Sequence, residues 1–93
     1  MTWRVRVRPE AELDLVIAAG WYEARRNGLG VEFLDELESL IASLANHALL
    51  YAERLEGIRR VFARRFPYAV FYQVLDEDVV VLSIMHVRRQ RQL

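Results

Sequence analysis

Cysteine and lysine are both absent from this chain of 93 residues. Without cysteine there is no disulfide and no thiolate metal site. Two histidines, His47 and His86, stand without spaced acidic or cysteine ligands beside them, so neither a metal nor another cofactor is expected. No apolar run approaches the ~20 residues that cross a bilayer. The start, Met1-Thr2-Trp3-Arg4, lacks the apolar stretch of a signal peptide. A cytoplasmic location and no membrane partner follow as expectations. Proline occurs only twice and glycine four times, and no repeat, low-complexity tract or linker is visible. One domain spanning residues 1–93 is expected, and a chain of this size buries roughly 65% of its unfolded surface.

With lysine missing, all thirteen basic residues are arginine, and they balance thirteen acids. The zero net charge conceals segregation. Residues 10–56 hold ten acids and three Arg, a net of −7; residues 57–93 hold seven Arg and three acids, a net of +4. Arg4, Arg6 and Arg8 add three more positive charges at the start. Surfaces of one sign steer partners of the opposite sign.

Alternation of Trp3, Val5 and Val7 with arginines reads as a strand over residues 4–8. Pro9 suits the first turn of a helix, and Glu10, Glu12 and Asp14 favour its N-terminus. That helix is expected from Pro9 to Arg26, with Leu13, Val16, Ile17, Gly20, Trp21 and Ala24 as its core stripe. Leu15, Ala18, Ala19 and Tyr22 fall on the opposite side, so the helix has two apolar faces. The second face either packs on the chain's own strands or docks a partner segment. Asn27-Gly28-Leu29-Gly30 breaks the helix. A second helix runs from Val31 to Asn46, with Phe33, Leu34, Leu37, Leu40, Ile41 and Leu44 at helical spacing. A connector without a period ends at Gly57. Three strands follow, over Ile58 to Ala63, Tyr68 to Leu75 and Val79 to His86, the last two joined through Asp76-Glu77-Asp78. The expected fold is α+β, β-α-α-β-β-β, with a helical hairpin packed on one face of a mainly antiparallel, four-stranded sheet.

Arginines concentrate around the late strands. Arg59, Arg60, Arg64 and Arg65 are read either as solvated positions linked to the acidic helices or, with Arg88, Arg89 and Arg91, as a cluster for phosphate or carboxylate partners. His86 ends the last strand and is read as a half-buried polar residue or as a general acid. Tyr68 and Tyr72 share a strand face, which suits core packing better than base stacking.

The joint order of several short pieces resembles the ParE/RelE toxin family of type II toxin–antitoxin systems. These are Arg8-Pro9-Glu10-Ala11-Glu12-Leu13-Asp14-Leu15, Trp21-Tyr22-Glu23, Gly28-Leu29-Gly30 and Phe33-Leu34. The later ones are Ile58-Arg59-Arg60, Arg65-Phe66-Pro67-Tyr68, Phe71-Tyr72 and the ending His86-Val87-Arg88-Arg89. Their wording is closer to the ParE branch and plasmid-stabilisation proteins than to the ribosome-dependent nucleases. The resemblance implies the fold given above, a cognate antitoxin partner and DNA gyrase as target, bound without chemistry by this chain. Arg59, Arg60, Arg65, His86, Arg88 and Arg89 are then target-binding candidates, and Leu15, Ala18, Ala19 and Tyr22 antitoxin-binding candidates. The alternatives are a ribonuclease acting on messenger RNA in the ribosome, or a degenerate member that only binds a partner. Nuclease chemistry needs a group to activate the ribose 2′-hydroxyl, cations for the phosphate and an acid for the leaving oxygen. Arg60 or Arg65 fits the second role and His86 the third, while the first lacks a candidate. By resemblance, many such nucleases use a Lys or Glu and a C-terminal Tyr; this chain has no Lys and no Tyr after Tyr72.

Overall fold

A computed structural model of the chain describes residues 2–90, with the backbone alone at 89 and 90. The order of elements is β1 (Arg4–Val7), α1 (Pro9–Arg25), α2 (Leu29–His47), a 3₁₀ turn (Ala48–Leu50), β2 (Glu53–Leu55), β3 (Ile58–Phe62), β4 (Tyr68–Leu75), β5 (Asp78–His86) and α3 (Val87–Gln90). The strands form one sheet in the order β1-β5-β4-β3-β2.

The sheet has five strands, where the sequence pointed to four. The extra one, β2, is three exposed residues with a register irregularity against β3. So short a strand shows no alternation to read. Its determinant is the two-residue turn Glu56-Gly57, where φ is 49° and 80°. Positive φ at both positions is the primed hairpin geometry that glycine favours. The sheet is also mixed. β2, β3, β4 and β5 pair antiparallel in sequence, but β1 lies parallel to β5, Arg4 opposite Asp78 and Val7 opposite Val81. The α1–α2 hairpin serves as part of the long crossover that a parallel pair requires.

Alternation along the strands separates two faces. Val5, Val7, Val61, Tyr68, Val70, Tyr72, Val79, Val81 and Ile84 point to the helices and join the core. From α2 the buried positions are Phe33, Leu37, Ile41 and Leu44, the stripe its spacing foretold. Phe33 lies 5.2 Å, ring to ring, from each of Tyr22, Phe66 and Tyr68. Tyr72 is fully buried and donates its hydroxyl proton to the Ala48 carbonyl at 2.6 Å.

On α1 the expected core stripe is reversed. Ala11, Leu15, Ala18 and Ala19 are buried, whereas Leu13, Val16, Ile17 and Trp21 face outward. The cause is the closeness of the two helices. A Cβ added to Gly30 would lie 2.6 Å from the Ala19 carbonyl oxygen, a contact no side chain tolerates. Only a face lined with alanines admits a second helix so near, and bulky Ile17 or Trp21 at that seam would hold it off. Glu23 fixes the junction: its carboxylate accepts the N–H groups of Gly28 and Gly30, each at 2.9 Å. Those two backbone donors hold the Glu23 carboxyl below its ordinary range.

Tyr72→Phe removes the buried hydrogen bond to the Ala48 carbonyl and is expected to cost about 1 kcal/mol in a urea melt. Burial pushes the Tyr72 phenol up to about 12, from an ordinary value of 10.0. Below pH 10 both folded and unfolded chains keep the proton. Above it the unfolded phenol ionises first, so this contribution to stability falls away as pH rises from 10 towards 12. The Phe variant is therefore expected to lose less stability over that alkaline range than the parent chain.

Candidate functional site

The outward side of α1 carries Leu13, Val16, Ile17 and Trp21, between 52% and 64% exposed. Spacings of three and four residues put them on one ridge. Two grooves flank it. One, of about 490 Å³, is lined by Ile17, Ala18, Trp21, Tyr22, Pro67, Tyr68, His86 and Arg88. The other, of about 510 Å³, lies against Val5, Val7, Leu15, Val16, Leu34, Ile41 and Ala42, with Glu12 and Glu38 at its walls. Arg88 lines the first, and Arg25 stands beside it with its guanidinium 3.8 Å over the Trp21 ring, whereas no basic residue among those described lines the second.

His86 enters the first groove from the helix-facing side of β5, edge-on to Tyr68 at 5.2 Å. Its Nδ1 accepts the Arg88 N–H at 3.1 Å, which requires that nitrogen to be unprotonated and places the proton of the neutral ring on Nε2. Tyr22 forms the floor, packed against Phe33 and Phe66 at 5.2 and 4.9 Å. Burial, and then the neighbouring Tyr68, raise its phenol above the ordinary value. The arrangement suits an amphipathic segment that sets apolar side chains against the ridge and a carboxylate near Arg25 or Arg88.

The arginine candidates do not form one cluster. Arg59 points to the helix side, donating to the Tyr51 carbonyl at 2.5 Å with the Glu53 carboxylate 3.9 Å away. Arg60 points to the other face of the sheet, 4.9 Å over the Phe62 ring. Partial burial, and then Arg54, lower its pKa. Arg65 is held by Glu32 at 2.5 Å. Glu32 also binds Arg26, and side-chain hydrogen bonds from Arg26 and then Arg65 lower its pKa. The Glu36 carboxylate accepts the N–H groups of Arg64 and Arg65 at 2.7 and 3.0 Å. Arg88 is exposed. The Arg89 side chain and all of Arg91 lie outside the described residues.

Two of the candidate nuclease residues, Arg60 and His86, also fail to converge. Arg60 pairs with Phe71, and His86 with Tyr68. Those partners are three positions apart on β4, about 10 Å along the strand and on opposite faces. The antitoxin face expected at Leu15, Ala18, Ala19 and Tyr22 is likewise corrected: Leu15, Ala18 and Ala19 are core, and Tyr22 is half-buried against aromatic rings. Only Ala18 and Tyr22 reach the wall of the first groove. The residue types of the ridge are those of a core, so sequence alone does not mark it as surface. The one signal that separates the faces is the run of small residues Ala11, Ala18 and Ala19 on the buried side.

Comparison with known proteins places this geometry. The family model for the ParE toxin of the type II toxin–antitoxin system, parDE, matches residues 5–91. A chain from the chromosomal ParDE toxin–antitoxin system of P. aeruginosa superposes with a TM-score of 0.80 at 17% identity, covering 91% of this chain and 96% of that one. A chain of the toxin–antitoxin complex RelBE2 of Mycobacterium tuberculosis gives a TM-score of 0.60 at 22% identity, covering 92% and 99%. No protein of curated function matches by sequence.

The two sides of α1 are expected to respond oppositely to charge. Ile17→Asp and Trp21→Asp, on the ridge, should stay within about 0.5 kcal/mol of the parent in urea melts. Leu15→Asp places an unpaired carboxylate in the core and should cost more than about 3 kcal/mol. Tyr22→Asp should fall with Leu15→Asp, because its ring closes the aromatic cluster around Phe33.

Proposed function

The chain belongs to the ParE toxin family of type II toxin–antitoxin systems, and from that premise we propose that it arrests growth by binding DNA gyrase and is neutralised by an antitoxin tail lying along the α1 ridge. The observation that carries the first half is the placing of Arg60 and His86 on opposite faces of the sheet, with Arg65 in the β3–β4 loop tied to Glu32. General acid and phosphate-binding cation must meet at one bond for RNA cleavage. A cation and an acid held on opposite faces suit a toxin that acts by contact. Gyrase as the target rests on the resemblance to the ParE branch. Arg88 and Arg89, just beyond β5, are the contact we assign to it.

The antitoxin half rests on the ridge and its first groove. A flexible tail must offset roughly 1–2 kcal/mol for each backbone residue it orders, so it needs apolar anchors. Leu13, Val16, Ile17 and Trp21 supply them. Arg25 and Arg88 favour carboxylates on the tail, which speed encounter, while apolar contacts slow release.

Two measurements test this reading. Under tightly controlled expression, DNA synthesis is expected to stop before protein synthesis, and purified chain should inhibit gyrase supercoiling. Ribosome-dependent cleavage of messenger RNA, lost in His86→Ala, would overturn it in favour of the nuclease. With the antitoxin co-expressed, Trp21→Asp should weaken binding at least about 30-fold, as expected for a central aromatic anchor. Unchanged affinity in a folded Trp21→Asp chain would remove the ridge from the interface.

A further inference from the structure

The edge of the sheet at β1 is open. In the parallel pair β1–β5 the N–H groups of Arg4 and Arg8 donate to the Glu77 and Val81 carbonyls at 2.9 and 3.1 Å, and the register gives Arg6 the same direction. In a trans peptide the carbonyl points opposite to the N–H that follows it. The N–H and C=O groups of Val5 and Val7 therefore point away from β5, and none meets a partner among the described residues. One end of this edge is closed, where the Trp3 N–H donates to the Ala45 carbonyl of α2 at 2.8 Å. Beyond it lies the second groove, of about 510 Å³, which Val5 and Val7 share with Leu34 and Ile41 of α2.

Free donors and acceptors at strand spacing, with about 6.6 Å between the two N–H groups, fit another extended backbone. The side chains beside them define what that backbone carries. On the groove side every lining residue is apolar except Glu12 and Glu38, which are exposed and make no ion pair with the described residues. That side suits apolar residues and a cation, and disfavours acids. On the other face Arg4, Arg6 and Arg8 alternate with the valines. Arg8 is paired with Glu10 at 3.3 Å. Arg4 and Arg6 share the one carboxylate of Asp78, and their side chains stay 76% and 69% exposed, so each keeps N–H donors for a second carboxylate.

A second copy does not fit this edge. Residues opposite one another in an antiparallel pair lie on the same face, so joining two β1 strands about a two-fold axis sets arginine against arginine. We infer that β1 takes an extended segment of a different polypeptide as a sixth strand. Its apolar side chains and one Lys or Arg enter the groove, and its acidic side chains lie over Arg4 and Arg6. The inference rests on β1 alone and holds whichever protein covers the α1 ridge.

Amide hydrogen exchange of the full 93-residue chain tests it, with a blocked peptide of about eight residues as the probe. The peptide alternates glutamate with valine, one valine being replaced by lysine. In the free chain the Val5 and Val7 amides should exchange fast, and those of Arg6 and Arg8 slowly. Peptide at about 1 mM should slow Val5 and Val7 at least about tenfold. A second peptide with lysine in place of every glutamate should bind at least about tenfold more weakly, and Arg4→Gln combined with Arg6→Gln should abolish that preference. Val5→Pro removes an outward N–H but no bond of the β1–β5 ladder. It should keep the circular dichroism of the parent and bind the first peptide at least about tenfold more weakly. If that variant does not fold, exchange in the parent chain decides alone. Val5 and Val7 amides unmoved by the first peptide, equal affinity for the two peptides, or a folded Val5→Pro that binds as the parent does would overturn the assignment. So would amides already protected in the peptide-free chain at high concentration, the sign of a second copy on the edge.

Discussion

Glu23 accepts two N–H groups, from Gly28 and Gly30, in the short stretch where α1 turns back into α2. That pair of hydrogen bonds sets the start of α2 against the end of α1, and Gly30 then sits against the Ala19 carbonyl with no room for a side chain. Much else follows from this seam. It turns Ala11, Leu15, Ala18 and Ala19 inward and leaves Leu13, Val16, Ile17 and Trp21 outside. It also carries Phe33, four residues into α2, to the centre of the aromatic cluster with Tyr22, Phe66 and Tyr68.

Two acids on α2 extend the same control to the sheet. Glu36 holds the backbone of Arg64 and Arg65, and Glu32 holds the Arg65 side chain together with Arg26. The loop from β3 to β4 is thereby tied to the helical hairpin, and Phe66 is pressed into the core beside Phe33. At the other edge, Arg4 and Arg6 both bind Asp78, across the parallel pair β1–β5. Hydrogen bonds from Arg4 and then Arg6 hold the Asp78 carboxyl below its usual range. The segregated charges of the sequence thus serve partly as internal ties, which is why fewer arginines are left for a partner than their number suggests.

Legibility in the sequence varied with how local the cause was. The α2 stripe and the strands β3, β4 and β5 follow from period alone, and both were read from it. β2 escaped because three exposed residues carry no period, and because its cause is the backbone of Glu56 and Gly57. The parallel setting of β1 is a property of the crossover and not of residues 4–7. Apolar residues lie on both sides of α1, so its sequence alone does not say which face turns inward. What decides between them is the distance to α2, a tertiary quantity. The Arg59-Arg60 pair shows the same limit: alternation says that the two diverge, but only the positions of Tyr51 and Phe62 say what each one meets.

The apolar ridge, exposed in the free toxin, is proposed to be what its antitoxin covers. Trp21 reports on it directly, once the buried Trp3 is replaced by Phe so that a single indole remains. Acrylamide quenching of Trp21 fluorescence, with and without saturating antitoxin, is the measurement. The account predicts strong quenching in the free chain and strong protection in the complex. An indole already shielded in the free chain, or equally quenched after the antitoxin binds, would contradict it.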